Sequence, residues 1–343
     1  MPNPFNITFG ELPKSVIERE KEAHIIESAF KDETPETKVF IITGPRGSGK
    51  TALLTKMKNV FRDDGYLTVD LNPFIDMQEQ FASKLYEEGK LWKLFLHPEF
   101  SFSFKGLTFS LKGKIEINNI STLIERMLEH LKKKGKRVLI TIDDASNTPG
   151  MKSFVFSYQQ WIREGYSVFL LMSGLYENVS EIGRGKSLTF FLRAPKIMLE
   201  PLNLAAIAYS YKNLLNLDEI SAVKYAKLTS GYAYGYQLLG SLLYKNQAPL
   251  KNLDEYDLKL NQNAYSLIWE KLTEKEKKIL VAMRKTSKVS GICADLSLSN
   301  GNLQTYKKRL MDKGIVTSIE RGNMVFALPR FKEFVDFQLL LEE

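Results

Sequence analysis

The sequence predicts an α/β fold, in which a parallel β-sheet domain is followed by a helical lid and a C-terminal winged helix-turn-helix. Three observations support this fold class. Short apolar runs rich in β-branched residues alternate with helical patterns over residues 1–200. A glycine-rich loop at residues 44–51 follows the first run and precedes a helical pattern. Beyond residue 266, three helical patterns precede two short apolar runs joined by a turn.

The loop is a complete G-x-x-x-x-G-K-[ST] phosphate-binding pattern. Residues 38–43 before it indicate a buried parallel strand, and residues 51–57 after it indicate a helix. Glycines let the backbone turn its N–H groups toward phosphate oxygens, Lys50 is suited to the β- and γ-phosphates, and Thr51 offers Mg²⁺ a hydroxyl. The predicted cofactors are therefore ATP/ADP and Mg²⁺. The predicted cofactor-binding residues are Gly44, Pro45, Arg46, Gly47, Ser48, Gly49, Lys50 and Thr51.

Four further strands are predicted in the first domain. They lie at residues 66–71, 138–142, 168–172 and 196–199, with helices such as 119–134 and 151–164 between them. This alternation indicates a parallel sheet with helices on both faces, whose ligands bind at the carboxyl ends of the strands. Period-two alternation around Lys105 and Gly106 predicts a β-hairpin inserted near 100–117. The hairpin either packs on its own domain or offers an interaction surface.

Three domains are predicted along the chain. Residues 1–200 form the nucleotide-binding domain, residues 201–265 the helical lid, and residues 266–343 the winged helix. In the last domain, Thr273 and Glu276 have the spacing of a capping box. A short helix near 289–296 and a recognition helix from Ser299 to about Lys313 follow. The wing strands are predicted at 315–319 and 324–328.

Two adjacent carboxylates end the third predicted strand. Asp143 is the predicted metal residue together with Thr51, because an Asp at this position of a phosphate-loop protein binds Mg²⁺ directly or through water. Asp144 is placed to orient or deprotonate the attacking water. The alternative for Asp143 is an N-cap or turn residue.

On these motifs the chain resembles the AAA+ superfamily, in particular the origin-recognition-like and archaeal-type ATPases, with some likeness to the STAND signalling NTPases. The phosphate loop and the Asp143–Asp144 strand end carry most of the resemblance. Residues 17–20, Ile-Glu-Arg-Glu, resemble the "G-R-E-x-E" entry of these families. Supporting segments are Leu192-Arg193 with 197–202, the lid segment 231–237, and a winged helix after the lid. The resemblance covers nearly the whole chain.

The resemblance implies further catalytic roles. Ser173 resembles the polar sensor that touches the γ-phosphate or the attacking water; otherwise it is a turn cap. Arg193 resembles an arginine finger that reaches a neighbouring subunit's nucleotide; otherwise it makes a surface salt bridge, and Arg184 is the competing candidate. Asp144 stands where many AAA+ ATPases have Glu, so hydrolysis is expected to be slow. The lid segment lacks the sensing arginine, although Gln237 stands nearby.

The positive charge is concentrated near the C-terminus. The chain has net charge +8, and residues 266–332 hold 14 basic and 6 acidic residues, while the remainder holds 34 of each. This distribution favours a polyanion partner there over a merely solubilising surface. The predicted contacts to double-stranded DNA are Asn302, Gln304, Lys307 and Lys308 as exposed residues of the recognition helix, and Arg321 on the wing.

Composition excludes several other classes. Hydrophobic residues make up 44% of the chain, so it is expected to fold around a sizeable core. A single cysteine, Cys293, permits no internal disulfide, and with three histidines it makes a structural zinc site unfavourable. No apolar run has the length of a membrane span and no secretion signal is visible, which predicts a cytoplasmic protein without a membrane partner.

The sequence thus favours an ATPase that acts as a nucleotide-dependent DNA-binding switch. The alternative is a STAND-like signalling ATPase whose winged helix mediates protein interaction, and either function is compatible with a homo-oligomer or a protein partner. A small-molecule kinase is disfavoured, because the chain offers no separate acceptor site and that chemistry has no use for a winged helix.

Overall fold

The computed structural model describes residues 2–8, 13–91, 100–104, 107–109, 115–117, 120–183, 191, 193–246 and 253–342. The chain forms two compact units. The sheet unit comprises Glu20–Thr43 and Lys50–Met198, and the helical unit comprises Met1–Arg19, Gly44–Gly49 and Leu199–Glu343. The phosphate loop up to Gly49 therefore groups with the C-terminal helices. Among the described residues, no helix is both long enough and apolar enough to cross a membrane.

The sheet unit contains a five-stranded parallel sheet, which confirms the predicted α/β class. The strands of this unit are β1 Val39–Thr43, β2 Leu67–Leu71, β3 Phe100–Phe104, β4 Leu107–Phe109, β5 Ile115–Ile117, β6 Val138–Ile142, β7 Val168–Gly174 and β8 Lys196–Met198. The main sheet has the order β2-β6-β7-β1-β8. Every residue of β6 and β7 is buried, as expected for parallel strands covered on both faces.

Helices cover both faces of the sheet. They are α1 Glu20–Lys31, α2 Lys50–Asp63, α3 Met77–Glu88, α4 Ile120–Lys133, α5 Pro149–Arg163 and α6 Tyr176–Gly183. Because strand side chains alternate, Phe40 packs against Phe30 of α1 on one face, while Ile41 belongs to the cluster on the other. That second cluster contains Phe81 of α3 and Trp161 of α5, whose ring centroids lie 4.9 Å apart.

The register of the sheet determines which side chains meet at its carboxyl edge. Ile142 of β6 pairs with Met172 of β7, so Asp143 follows its strand beside Ser173. β1 lies between β7 and β8, and its last residue, Thr43, pairs with Gly174. The carboxyl end of β1 therefore lies next to the strands that carry the predicted metal and sensor residues.

In the inserted region, a small three-stranded sheet has the order β4-β3-β5. β3 and β4 pair antiparallel, with Phe102 opposite Phe109, and β5 pairs with β3 in parallel. The turn expected at Lys105 and Gly106 lies outside the described residues.

The helical unit has its own elements. Its helices are α7 Leu204–Leu215, α8 Glu219–Leu228, α9 Ala233–Asn246, α10 Asp254–Leu260, α11 Ser266–Glu270, α12 Glu274–Met283, α13 Val289–Leu296, α14 Asn300–Asp312 and α15 Phe331–Glu342. A π-helical turn, Asn261–Tyr265, joins α10 to α11. The two-stranded wing consists of β9 Val316–Thr317 and β10 Val325–Phe326, paired antiparallel. These strands are shorter than the sequence suggests.

The lid and the winged helix share one hydrophobic core instead of two. Side chains from α7 to α9 and from α12 to α15 belong to the same buried cluster. Tyr265, at the predicted domain boundary, packs edge-on against Phe331 and Phe334 of α15, with ring centroids 4.9 and 5.6 Å apart. The boundary is therefore the interior of a continuous core, since large aromatic side chains link its two sides.

The N-terminal segment is held against the lid within this unit. Phe5 is buried and lies so close to Gly240 of α9 that a Cβ there would overlap its ring. Gln237 accepts from the Asn6 N–H at 3.1 Å and donates to the Ser15 carbonyl at 2.5 Å. The side chain of Gln237 is thus engaged in tying down the N-terminal segment.

Candidate nucleotide-binding site and winged helix

The phosphate loop has the backbone that its glycines permit. Gly47 and Gly49 have φ of 75° and 91°, a region that residues with a Cβ rarely occupy. Between them, Ser48 is buried, its N–H donates to the Pro45 carbonyl at 3.2 Å, and its hydroxyl has no partner. A buried hydroxyl without a partner is costly, and a phosphate oxygen would satisfy it. The loop residues therefore fit a nucleotide.

Three contacts to this loop were not predicted from the sequence. The loop carbonyls accept hydrogen bonds from Arg19, Tyr232 and Tyr234. These residues lie in segments 17–20 and 231–237, which support the family resemblance but had no predicted role. The close approach is visible at Gly47, where a Cβ would overlap the Tyr232 hydroxyl. No periodicity or spacing in the sequence indicates these pairs, because they join segments far apart in the chain.

In the sheet unit, the Asp143 carboxylate is the centre of the predicted metal residues. The Thr51 hydroxyl donates to one of its oxygens at 2.7 Å, and the Ser173 hydroxyl donates to the other. Oxygen ligands of this kind suit Mg²⁺, so Thr51 and Asp143 could hold it as predicted. Ser173 is fully buried, and its observed contact is with Asp143. Its sensor role remains a prediction.

Asp144 differs from Asp143 in its surroundings. It is exposed, and its φ of 53° places a non-glycine residue in the left-handed region. Its N–H donates to the Asp143 carboxylate at 3.0 Å. Arg193 is also exposed, whereas Arg184 lies outside the described residues. The catalytic roles of Asp144 and Arg193 stay predictions.

The helix α14, predicted to be the recognition helix, presents most of the predicted DNA-contacting side chains to solvent. Asn302, Gln304 and Lys308 are exposed, as is Arg321 on the wing. The expectation that Lys307 is exposed is wrong. It is only 9% exposed, and its ammonium donates to the Asn323 carbonyl at 3.0 Å and to the Ser318 hydroxyl at 3.1 Å. Lys307 shares the buried face of α14 with Leu303 and Leu310 and holds the wing.

Ion pairs use part of the positive charge of residues 266–332. The pairs include Lys277–Glu274, Arg284–Asp336, Lys285–Asp295, Lys313–Glu276, Arg330–Asp257 and Arg330–Glu333. Exposed cations beside the recognition helix and wing include Lys308, Arg309, Lys288 and Arg321. Arg309 was missed from the sequence, although its position next to Lys308 on the helix was a usable signal.

A comparison with protein families finds an ATPase domain that contains the phosphate loop and Asp143. Residues 16–166 match the family model of an ATPase domain predominantly from Archaea, and residues 262–335 match a domain of unknown function, DUF8462. Residues 16–166 therefore match an ATPase-domain family found predominantly in Archaea, which confirms the predicted resemblance to archaeal-type ATPases. No curated protein matches the sequence.

Solved structures share the fold along the whole chain. Cdc6p from Pyrobaculum aerophilum is 16% identical with a TM-score of 0.51, and the match covers 98% of this chain and 97% of that one. The ORC2 protein of Aeropyrum pernix, in its ADPNP–ADP complexes, is 13% identical with a TM-score of 0.55 and 98% coverage of both chains. The chain has the fold of these origin-recognition-like AAA+ proteins.

Proposed function

We propose that this protein binds ATP with Mg²⁺, hydrolyses it slowly, and uses the bound nucleotide to control binding of double-stranded DNA by its winged helix. The ATPase-family domain and the phosphate loop support the nucleotide half of this proposal. The exposed cations and amide side chains of α14 and the wing support the DNA half.

The observation that carries the link between the two halves is the contact of Pro45 with Gly314. Gly314 ends the turn after α14 with φ of 68°, and a Cβ on it would lie 2.7 Å from Cγ of Pro45. The turn that follows α14 therefore contacts the phosphate loop. A change in the shape of the loop on nucleotide binding would therefore shift this turn and α14. Coupling between the nucleotide site and the DNA site requires a physical connection of this kind.

Each residue of the nucleotide motif has a role in this proposal. Lys50 neutralises the β- and γ-phosphates, while Thr51 and Asp143 hold the metal ion. The ion, when bound, supplies positive charge to the phosphate oxygens. Ser173 keeps the Asp143 carboxylate in place by its hydrogen bond. Asp144 orients the attacking water, and Arg193 reaches the nucleotide of a neighbouring copy.

The DNA contacts divide into two kinds. Asn302 and Gln304 are exposed on α14 and have amides that can pair with adenine in the major groove. Lys308, Arg309 and Arg321 supply the charge that binds phosphates. Lys307 acts indirectly, because it fixes the wing through the Asn323 carbonyl.

Replacing both Lys308 and Arg309 by Gln tests the DNA half. We expect the slope of log K against log salt for duplex DNA to fall by about 2, because each phosphate contact contributes about 0.9. Fluorescence anisotropy across a salt series measures it. The double variant Lys224→Gln, Lys227→Gln removes two exposed lysines of α8, outside the winged helix, and should leave the slope unchanged. Equal slopes for the wild type and the α14 variant would show that Lys308 and Arg309 do not contact DNA phosphates.

A signalling ATPase of the STAND type is the second candidate, and the same contact between Pro45 and Gly314 favours it. In that function the winged helix would read the nucleotide for a protein partner instead of DNA. Absence of DNA binding at low salt, together with intact nucleotide binding, would support this candidate.

A further inference from the structure

Three successive carbonyls of the phosphate loop each accept a hydrogen bond from outside the loop. The Tyr232 hydroxyl donates to the Arg46 carbonyl at 2.7 Å. The Tyr234 N–H donates to the Gly47 carbonyl at 2.9 Å. The Arg19 guanidinium donates to the Ser48 carbonyl at 2.9 Å. All these residues belong to the helical unit.

Because the peptide unit is planar, these hydrogen bonds also fix the direction of the N–H groups of the phosphate loop. A peptide unit is planar and trans, so a carbonyl and the following N–H point in opposite directions. Donors that hold the carbonyls of Arg46 and Ser48 on one side therefore hold the N–H groups of Gly47 and Gly49 on the other. These glycine N–H groups are the ones that the loop motif assigns to phosphate oxygens.

The donors are themselves rigidly held. Tyr232 is buried and stacks on Tyr265, with ring centroids 6.4 Å apart and an interplanar angle of 29°. The Tyr234 hydroxyl accepts from the Asn263 side chain at 2.8 Å. Arg19 donates its second N–H group to the Glu200 carbonyl at 2.9 Å, which fixes the guanidinium at both ends. Burial raises the pKa of Tyr232, so its phenol stays protonated and remains a donor.

The buried hydroxyl of Ser48 is a second observation that points to a ligand at this loop. It has no partner, and a Cβ on Gly44 would lie 2.7 Å from it. The loop is thus held in a shape that leaves a polar group to be satisfied from outside the protein.

We propose that Arg19, Tyr232 and the Tyr234 N–H form a carbonyl clamp that positions the phosphate loop for the β-phosphate of the nucleotide. These are positioning residues, since they act through the loop backbone and do not touch the nucleotide. The proposal rests on the proposed nucleotide-binding function and deepens it. Neither the loop motif nor the family match assigns a role to these three residues.

The test compares ADP with AMP in the full-length protein. Tyr232→Phe removes only the hydroxyl that donates to the Arg46 carbonyl. Because loss of one hydrogen bond typically corresponds to about a 5-fold change, we expect ADP to bind about 5-fold more weakly. AMP, which has no β-phosphate, should keep its affinity, so the ratio of the two affinities falls. Displacement of mantADP by ADP and by AMP measures both.

Two further variants separate positioning from general destabilisation. Tyr236→Phe removes a hydroxyl from the first turn of α9, just after Tyr232. That hydroxyl is bonded to the Ser210 and Ser15 hydroxyls and not to the loop, so the variant should leave the ratio unchanged. Arg19→Lys keeps the charge but loses the planar fork whose two nitrogens reach the Glu200 and Ser48 carbonyls separately, so it should lower the ratio as Tyr232→Phe does.

The outcomes distinguish the clamp from the nucleotide site. If wild type binds mantADP and Tyr232→Phe and Arg19→Lys keep the wild-type ratio, the clamp is overturned while the nucleotide site stands. Equal losses of ADP and AMP affinity also overturn it. If wild type binds no mantADP, the proposed function itself fails, and the clamp fails with it.

Discussion

At the scale of single residues, Asp143 and Asp144 differ in their surroundings, and the difference suits the two roles proposed for them, metal binding and hydrolysis. Asp143 is half-buried and receives the hydroxyls of Thr51 and Ser173, whereas Asp144 is exposed on a left-handed backbone. A carboxylate that is held by two hydrogen-bond donors is suited to binding a metal ion in a fixed position. An exposed carboxylate next to it is suited to accepting a proton from a water molecule.

Replacing Asp143 by Asn therefore has a defined expected effect. The variant loses the negative charge that attracts Mg²⁺, so Mg²⁺ should no longer strengthen mantATP binding over that seen in EDTA. Asp144→Asn is the matched control, and it should keep the Mg²⁺ effect while losing about 100-fold or more in ATP turnover, the usual range for a general base. An unchanged Mg²⁺ effect in Asp143→Asn would contradict the metal assignment.

At the same scale, Lys307 is a residue whose exposure was wrongly predicted from the sequence. Leu303, Lys307 and Leu310 are spaced at helical intervals and share the buried face of α14. Applied strictly, that periodicity would have predicted burial for Lys307. A lysine is nevertheless expected at the surface, because a buried ammonium needs acceptors. The folded wing supplies them here, and this contact between distant residues has no local signature in the sequence.

At the scale of elements, the first turn of α12 is joined to the end of α14. The Glu276 side chain completes the capping box with Thr273 and also accepts from the Lys313 ammonium at 2.9 and 3.0 Å. Burial acts to raise the pKa of Glu276, but the Thr273 N–H and the Lys313 ammonium outweigh it and lower the pKa below its usual 4.5. Because a depressed pKa favours the folded state when the group is ionised, this contribution is complete above pH 4.5 and is lost as pH falls through the folded pKa.

Glu276→Gln should therefore destabilise the protein by about 2 kcal/mol at pH 7, since it leaves a half-buried ammonium without its partner. The difference from wild type should shrink as pH falls below 4.5. Denaturant unfolding at several pH values measures it. Glu274→Gln is the control, because Glu274 is 80% exposed in its pair with Lys277 and should change stability by less than about 0.5 kcal/mol. A Glu276→Gln effect that does not depend on pH would contradict this prediction.

At the scale of the whole molecule, the sheet strands, the phosphate loop and the winged helix were predictable because each has a local signature. The strand at 138–142 and the helix at 289–296 lie where the sequence placed them. What could not be predicted are contacts between distant segments, such as Tyr232 with Arg46 and Pro45 with Gly314. The helix α15 was also missed, and its Phe331 and Phe334 join lid and winged helix into one core.

In the proposed function, a nucleotide on the phosphate loop controls DNA binding by the winged helix. The most direct measurement is the affinity for a fluorescent DNA duplex at one salt concentration with ATP, with ADP and without nucleotide. For wild type we expect the affinity to differ at least about 5-fold between nucleotide states, the usual lower range of coupling between sites. Lys50→Ala should give the nucleotide-free affinity under all three conditions. Equal DNA affinity of the wild type in all three conditions would contradict the claim.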